Sequence, residues 1–319
     1  MVKDKNKIIV GITMGDPSGI GPEIIAKAMA YVRGEADFLT IGDLQVLERS
    51  FVKRKMRACA ILDLKNVKQD KFSFGKIKAE YGRASIEYLD KSIELLKNKE
   101  IDCLVTCPIS KEAINLAGYH YSGHTEYLIE KTKARHAVML LLNGQMKFAL
   151  VTRHIPLKEI SRCLNKRIIE DTAALTYKAL KQTFLIKKPR IIVCGMNPHG
   201  SDNGVIGDEE KRLIAPAVKN LAKRFKGVYG PLGADVAISK AKDKKFDCVI
   251  AMYHDQALIP LKLLGDQTGV NMTLGLPFIR TSPLHGTAFD IAGRNKADPA
   301  SLIAAIRLAI KCTQNQRKV

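Results

Sequence analysis

Tryptophan is absent, and aromatic residues make up only 6 % of the chain, so its core must be mostly aliphatic. Basic runs such as Lys53-Arg54-Lys55 hold no interleaved aromatic residues, as platforms for stacking single-stranded nucleic acid would. No CxxC pair occurs. The seven cysteines, Cys59, Cys103, Cys107, Cys163, Cys194, Cys248 and Cys312, stand apart from one another. An odd number without pairing argues against a disulfide framework and for a reducing compartment. Long apolar runs are missing as well. The longest in the interior, Ala137–Leu142, is far too short to span a bilayer. The run after Met1-Val2-Lys3-Asp4-Lys5 is ended by Thr13, Gly15 and Asp16, too early for a signal peptide. These absences together give the expectation of a cytoplasmic protein without a membrane partner.

Acidic residues are outnumbered, 32 against 52 basic, for a formal charge of +20. That balance raises the possibility of nucleic acid. The basic residues are scattered, however, as in Lys53-Arg54-Lys55, Lys187-Lys188 and Lys242 to Lys245, and no nucleic-acid module accompanies them. Solvated helix faces and steering of an anionic substrate account for such a distribution. A basic nucleic-acid-binding protein is the rival from another class, and it leaves the histidines and glycine loops described below unexplained.

What is present is alternation. Apolar, β-branched runs at Lys7–Met14, Phe38–Ile41, Cys103–Cys107, Ala137–Leu142, Phe148–Thr152, Arg190–Cys194 and Cys248–Met252 read as strands. Amphipathic stretches at Pro22–Tyr31, Tyr81–Asn98, Lys166–Lys181, Glu209–Arg224 and Pro299–Cys312 read as helices. Strand, helix, strand at this spacing predicts an α/β fold with a largely parallel sheet. The 319 residues suffice for two such domains or one large one. No internal repeat, low-complexity tract or linker marks a boundary.

Gly15-Asp16-Pro17-Ser18-Gly19-Ile20-Gly21-Pro22-Glu23 joins the first strand to the first helix. Glycines let backbone N–H groups close on an anion, and a helix N-terminus behind them is a natural anion seat. The spacing is neither GxGxxG nor a Walker loop with its lysine. A tight strand–helix turn is an equal reading.

Three histidines recur at one kind of place. His154 follows Phe148–Arg153, His199 follows Ile191–Pro198, and His254 follows Cys248–Tyr253, each just beyond the carboxyl end of an apolar strand. Open α/β sheets build their sites there. Converging, three neutral imidazoles would hold a divalent metal and leave a position open; taken singly, each is as readily a hydrogen-bonded structural residue. His120, in a loop, and His136, before a strand, carry no such pattern. Further on, Lys262, Asn271 and Arg280 flank the glycine-containing segment Gly269–Arg280 and read as loop residues. They either contact an anionic, hydroxylated ligand, with Arg forking onto carboxylate or phosphate, or tie loops together. A long glycine-punctuated loop follows, Leu284–Gly293, and Ala297-Asp298-Pro299 opens the last helix.

Taken together, Gly15–Glu23, Gly123-His124-Thr125-Glu126, Asn197-Pro198-His199, Tyr253-His254-Asp255-Gln256 and Gly269–Arg280 resemble the 4-hydroxythreonine-4-phosphate dehydrogenase family of pyridoxal phosphate biosynthesis. The resemblance runs from about Gly11 to Ile310. The His285–Pro299 stretch is also similar to the adenosine-binding loop of isocitrate and isopropylmalate dehydrogenases.

The resemblance implies two α/β/α domains around a central cleft, with the fold of those dehydrogenases. Residues 1–124 would form the first domain, 125–274 the second with the metal ligands and dimer interface, and 275–319 would return to the first. It implies NAD-dependent oxidative decarboxylation of 4-phosphohydroxy-L-threonine to 3-amino-2-oxopropyl phosphate, with NADP as the other nicotinamide. His154, His199 and His254 would bind a divalent metal (zinc, magnesium or cobalt) shared between the subunits of a homodimer. His124, Thr125, Lys262, Asn271 and Arg280 would contact substrate. His285, Gly286 and Asp290 would face the cofactor. Lys262 and Asp255 are the candidate proton acceptors. The chain departs from the family's usual pattern at Gly200-Ser201-Asp202-Asn203-Gly204, Gly233 and Asp266-Gln267-Thr268. A related dehydrogenase acting on 4-phospho-threonate or 4-phospho-erythronate is therefore the alternative.

Overall fold

A computed structural model describes residues 7–50 and 59–318; Met1–Lys5 and the basic run Lys53-Arg54-Lys55 lie outside them. The chain runs through β1 (Ile9–Thr13), α1 (Gly21–Val32), β2 (Asp37–Gly42), α2 (Leu44–Ser50), β3 (Ala60–Asp63), α3 (Ala79–Lys97), β4 (Cys103–Thr106), α4 (Lys111–Leu116) and α5 (His124–Thr132). It continues through β5 (Val138–Asn143), β6 (Met146–Leu150), α6 (Ile160–Cys163), α7 (Lys166–Gln182), β7 (Ile191–Cys194) and α8 (Ala215–Arg224). Then come β8 (Val228–Leu232), α9 (Ala234–Lys242), β9 (Cys248–Ala251), α10 (His254–Leu264), β10 (Val270–Leu274), β11 (Ile279–Pro283) and α11 (Ala300–Gln316). All seven strands read from apolar runs are present. The expected α/β class holds.

The chain divides into two compact units, one comprising the residues up to Lys133 with Leu276–Arg317, the other Ala134–Gly275. In the first unit the strand order is β3-β2-β1-β4-β11, and every pairing is parallel. Its central strands are buried almost throughout, the pattern of a sheet covered on both faces. Helix α5 belongs here, so the division falls after Lys133 rather than after His124. The reason is packing: Tyr127 and Leu128 of α5 join Ile86, Leu89 and Ile93 of α3 and Ile114 of α4 in one buried cluster. Each such side chain contributes about 1.5–3 kcal/mol when fully buried.

In the second unit the order is β10-β5-β6-β9-β7-β8. Strands β6, β9, β7 and β8 run parallel, while β10 and β6 both lie antiparallel to β5. The expected largely parallel sheet is thus mixed in this unit. The hairpin between β5 and β6 causes this, its turn passing through Gly144 at φ 54°. Helix α7 begins where the Asn165 side chain accepts from the Ile168 N–H, satisfying one of the free donors of its first turn.

The reading of Lys262, Asn271 and Arg280 as loop residues is corrected. Lys262 lies in the last turn of α10, Asn271 in β10 and Arg280 in β11. A polar residue inside a five-residue strand, with glycine and proline between the two strands, hides the alternation that identifies one. Among the described residues no helix is long and apolar enough to cross a membrane, and the seven cysteines are free thiols.

Candidate functional site

The three histidines of the second unit owe their placement to topology. Strands β6, β9 and β7 are neighbours and parallel, so the segments leading to His154, His254 and His199 leave the same edge of the sheet. The rings of His154 and His254 are 5.5 Å apart between centroids, inclined at 46°. They line a cavity of about 310 Å³ together with Arg153, Leu157, Tyr253 and Asp255. Oδ1 of Asp255 lies 2.6 Å from Nδ1 of His254. With Nδ1–H donating to that carboxylate, Nε2 keeps its lone pair for a ligand, the usual arrangement of a metal-binding imidazole.

His199 stands apart. It is exposed, and it opens a run of left-handed residues, with φ of 55° at His199, 70° at Ser201, 48° at Asp202 and 58° at Asn203. Among the described residues no three His, Cys, Asp or Glu side chains are grouped to hold a metal ion. The chain therefore brings together two of the three expected ligands. The chemistry of this donor set, two imidazoles with one oriented by a carboxylate, fits a divalent cation.

Of the remaining candidates in this unit, Lys262 and Asp255 are exposed. Asn271 keeps a buried Oδ1 without a hydrogen-bond partner. Asp255, expected as a proton acceptor, is engaged with His254.

In the first unit Arg280 is 1 % exposed, and its Nη2 donates to Oγ1 of Thr106 at 2.6 Å. Burial pushes this guanidinium down to about 10, and Glu126 acts in the opposite sense. It remains a cation at neutral pH. His124, the first residue of α5, is held neutral: burial, and then the charge of Arg280, push its pKa well below the usual histidine value. Its Nε2 is buried with no partner. Thr125 beside it is buried. A buried cation within electrostatic reach of a neutral imidazole favours an anionic, hydrogen-bonding ligand.

The glycine loop forms a tight turn in which four N–H donors are taken within the protein: Asp16 bonds to Pro108 O, Ser18 to Asp16 Oδ1, Gly19 to Asp16 O and Ile20 to Thr287 O. A Cβ at Gly15, where φ is +74°, would lie 2.3 Å from the Pro108 carbonyl oxygen. Only glycine fits. Asp16 is fully buried, and burial raises its carboxyl to about 6 against the lowering hydrogen bond from Ser18. Its Oδ2 has no partner.

The bond from Ile20 to Thr287 fastens this turn to the His285 stretch. Ala297 N–H and Lys27 Nζ add to the fastening by both donating to Glu23 Oε1. Nδ1 of His285 lies 3.1 Å from Gly286 O, its Nε2 is buried and unpartnered, and burial lowers its pKa. A Cβ at Gly286 would meet nothing within 4 Å, and Asp290 is exposed. An open glycine beside a half-buried imidazole with a free ring nitrogen fits the edge of a nucleotide. Sequence reasoning missed Asp16 and Thr106 as members of this constellation, because neither carries a spacing signal of its own.

Comparison with known proteins identifies the family. A family model described as pyridoxal phosphate biosynthetic protein PdxA matches residues 19–309. The chain is 42 % identical to the 4-hydroxythreonine-4-phosphate dehydrogenase of Sulfurihydrogenibium sp. (strain YO3AOP1), covering 94 % of this chain and 97 % of that protein. It is 39 % identical to the D-threonate 4-phosphate dehydrogenase of Salmonella typhimurium, covering 95 % and 98 %. The crystal structure of 4-hydroxythreonine-4-phosphate dehydrogenase from Klebsiella pneumoniae superposes with a TM-score of 0.86 at 36 % identity, covering 98 % and 100 %. An isocitrate dehydrogenase from Methylococcus capsulatus shares the fold alone, with a TM-score of 0.54 at 12 % identity over 98 % of this chain and 88 % of that one.

Proposed function

The chain belongs to the PdxA family of pyridoxal phosphate biosynthetic proteins, and from that premise we propose that this dehydrogenase oxidatively decarboxylates 4-phosphohydroxy-L-threonine to 3-amino-2-oxopropyl phosphate. The observation carrying the reading is 42 % identity, over nearly the whole of both chains, to a 4-hydroxythreonine-4-phosphate dehydrogenase. The reaction removes a hydride and a proton from the hydroxyl-bearing carbon and oxygen. The carboxylate then leaves as carbon dioxide, its bonding electrons passing to the carbon next to the new carbonyl, which takes up a proton.

NAD, when bound, supplies the hydride acceptor, and His285, Gly286 and Asp290 are the residues that would face it. His154, His199 and His254 would hold a divalent metal, which when bound supplies Lewis acidity toward substrate oxygens. Arg280 contributes a fixed positive charge for a carboxylate or phosphate. His124 offers an uncharged nitrogen to a substrate hydroxyl, with Thr125 beside it. In the second unit Asn271 presents a carbonyl acceptor. With Asp255 engaged in orienting His254, Lys262 is the remaining candidate proton acceptor, a role open to it only in its neutral form.

The reading includes a cytoplasmic homodimer that shares its metal between subunits. Free thiols support the reducing compartment. Ile259 and Leu263, one turn apart on α10 and 57 % and 78 % exposed, support an apolar contact with a second copy.

A second reading, oxidation of 4-phospho-D-threonate, has its own observation in the 39 % identity to a protein of that activity. Assaying NADH formation with 4-phosphohydroxy-L-threonine and 4-phospho-D-threonate side by side separates the two. The first substrate is expected to give the higher kcat/KM. A preference for the threonate would transfer the chain to the second activity, and NADH from neither would overturn both.

A further inference from the structure

Parallel pairing fixes where β6, β9 and β7 end, but the segments beyond the last ladder bond need other restraints to deliver their histidines at defined positions. A continuous set of hydrogen bonds runs across those three ends. Thr152, two residues before His154, donates both its N–H, at 3.2 Å, and its Oγ1, at 2.7 Å, to the carbonyl of Met252. Met252, two residues before His254, donates its own N–H to Oε1 of Gln256 at 2.7 Å. The other end of that amide, Nε2, donates to the carbonyl of Gly195 at 2.9 Å. Beyond Gly195, the N–H groups of Met196 and Asn197 both donate to Oε1 of Glu210, at 2.7 and 2.8 Å. The Asn197 side-chain amide, two residues before His199, donates to Oε2 of Glu210 and to Oε2 of Glu209, each at 2.8 Å. Ser161 closes the set by donating to the second oxygen of Glu209.

Gln256 and Glu210 are the two side chains that make this set continuous, and both are buried, at 7 % and 4 % exposure. Their surroundings are shaped to admit them. A Cβ on Gly195 would lie 2.9 Å from Oε1 of Glu210, and one on Gly207 would lie 2.6 Å from Nδ2 of Asn197. Burying a carboxylate and an amide costs desolvation that an apolar side chain of similar size would avoid. What the pair gives in return is directional: both atoms of the Gln256 amide, and both oxygens of Glu210, bind groups next to the histidine segments.

We propose that Gln256 and Glu210 are positioning residues that lock the segments carrying His154, His254 and His199 of one chain into one frame, which fixes where the His154–His254 pair and where His199 are each presented to a divalent cation. This rests on the reading of those histidines as metal ligands.

The test is zinc and cobalt binding by the full-length protein carrying Gln256→Met, Gln256→Glu or Glu210→Gln. Gln256→Glu keeps an acceptor for Met252 N–H and sets an oxygen against the Gly195 carbonyl; Gln256→Met removes both bonds. Variants with wild-type circular dichroism should bind zinc about 10- to 100-fold more weakly, the range for groups that orient metal ligands. Their cobalt complexes should show altered visible absorption, which a mere loss of global stability would not produce. Wild-type zinc affinity together with a wild-type cobalt spectrum in folded Gln256→Glu and Glu210→Gln would overturn the proposal. Should Gln256→Met fail to fold, those two variants carry the comparison. His254→Ala separates the two levels. If it loses zinc while the positioning variants do not, only the frame is refuted; if it binds zinc as the wild type does, the ligand reading itself falls.

Discussion

Asp255 holds the ring of its sequence neighbour His254, with Oδ1 2.6 Å from Nδ1. The side chain of Asp255 is 68 % exposed, so the pair adds less than about 1 kcal/mol to folding. Its consequence is orientation, because a Nδ1–H engaged by a carboxylate fixes which nitrogen remains for a ligand. Asp255→Ala should therefore leave the urea midpoint nearly unchanged while weakening zinc binding about 10- to 100-fold. Asp255→Asn, which keeps an acceptor oxygen, should lose less. A variant with intact zinc affinity but collapsed kcat would instead return Asp255 to the role of proton acceptor.

Asp16 predicts a pH dependence of stability. Its carboxyl titrates near 6 in the folded chain, against an ordinary value of 3.8, because burial disfavours the charged form. The folded state then binds more protons than the unfolded one between those values. The stability contributed by the protonated form is fully present below about 3.8 and is lost as pH rises through about 6. The change is on the order of 3 kcal/mol. Asp16→Asn should flatten this slope, gaining most over the wild type at pH 7 and nothing at pH 4. Urea unfolding at half-unit pH steps measures it. Parallel stability profiles for the two proteins would show that Asp16 is charged in the folded chain.

How much of this was legible before the structure follows from the range of each interaction. The metal-ligand candidates stood out because each histidine follows an apolar strand, a local pattern, and parallel adjacency of β6, β9 and β7 then puts their ends on one edge. His199 does not line the cavity of the His154–His254 pair, and it opens a run of left-handed backbone in which Ser201, Asp202 and Asn203 lie between Gly200 and Gly204. Arg280 interrupts the apolar pattern of β11, so a fully buried strand read as a loop. Gln256 bonds to Gly195 across 61 residues of sequence and Arg280 to Thr106 across 174. Partners at such separations leave no spacing signal. The glycine loop was legible as a strand–helix turn, whereas the closure of its N–H groups on Pro108 and Thr287, far away in sequence, was not.

The last prediction concerns which chain supplies which histidine. His154 and His254 face each other within one chain, at 5.5 Å between ring centroids, while His199 is not grouped with them. If the metal site is shared, the simplest division gives the pair to one subunit and His199 to the other. Homodimers of His199→Ala and of His254→Ala should then both be inactive. In a mixed dimer, one site combines the intact pair of the first chain with the intact His199 of the second. The other site carries both lesions. With random exchange half the dimers are mixed, each with one good site of two, so activity should recover to about a quarter of wild type. Mixing His154→Ala with His254→Ala is the control, since both lesions fall on the pair; every site then has a damaged pair, and no recovery is expected. Exchange is verified by mass spectrometry of differently tagged chains. Recovery in the control but not in the test mixture would place His154 and His254 in different subunits' sites. No recovery in either mixture after verified exchange would confine all three ligands to one chain.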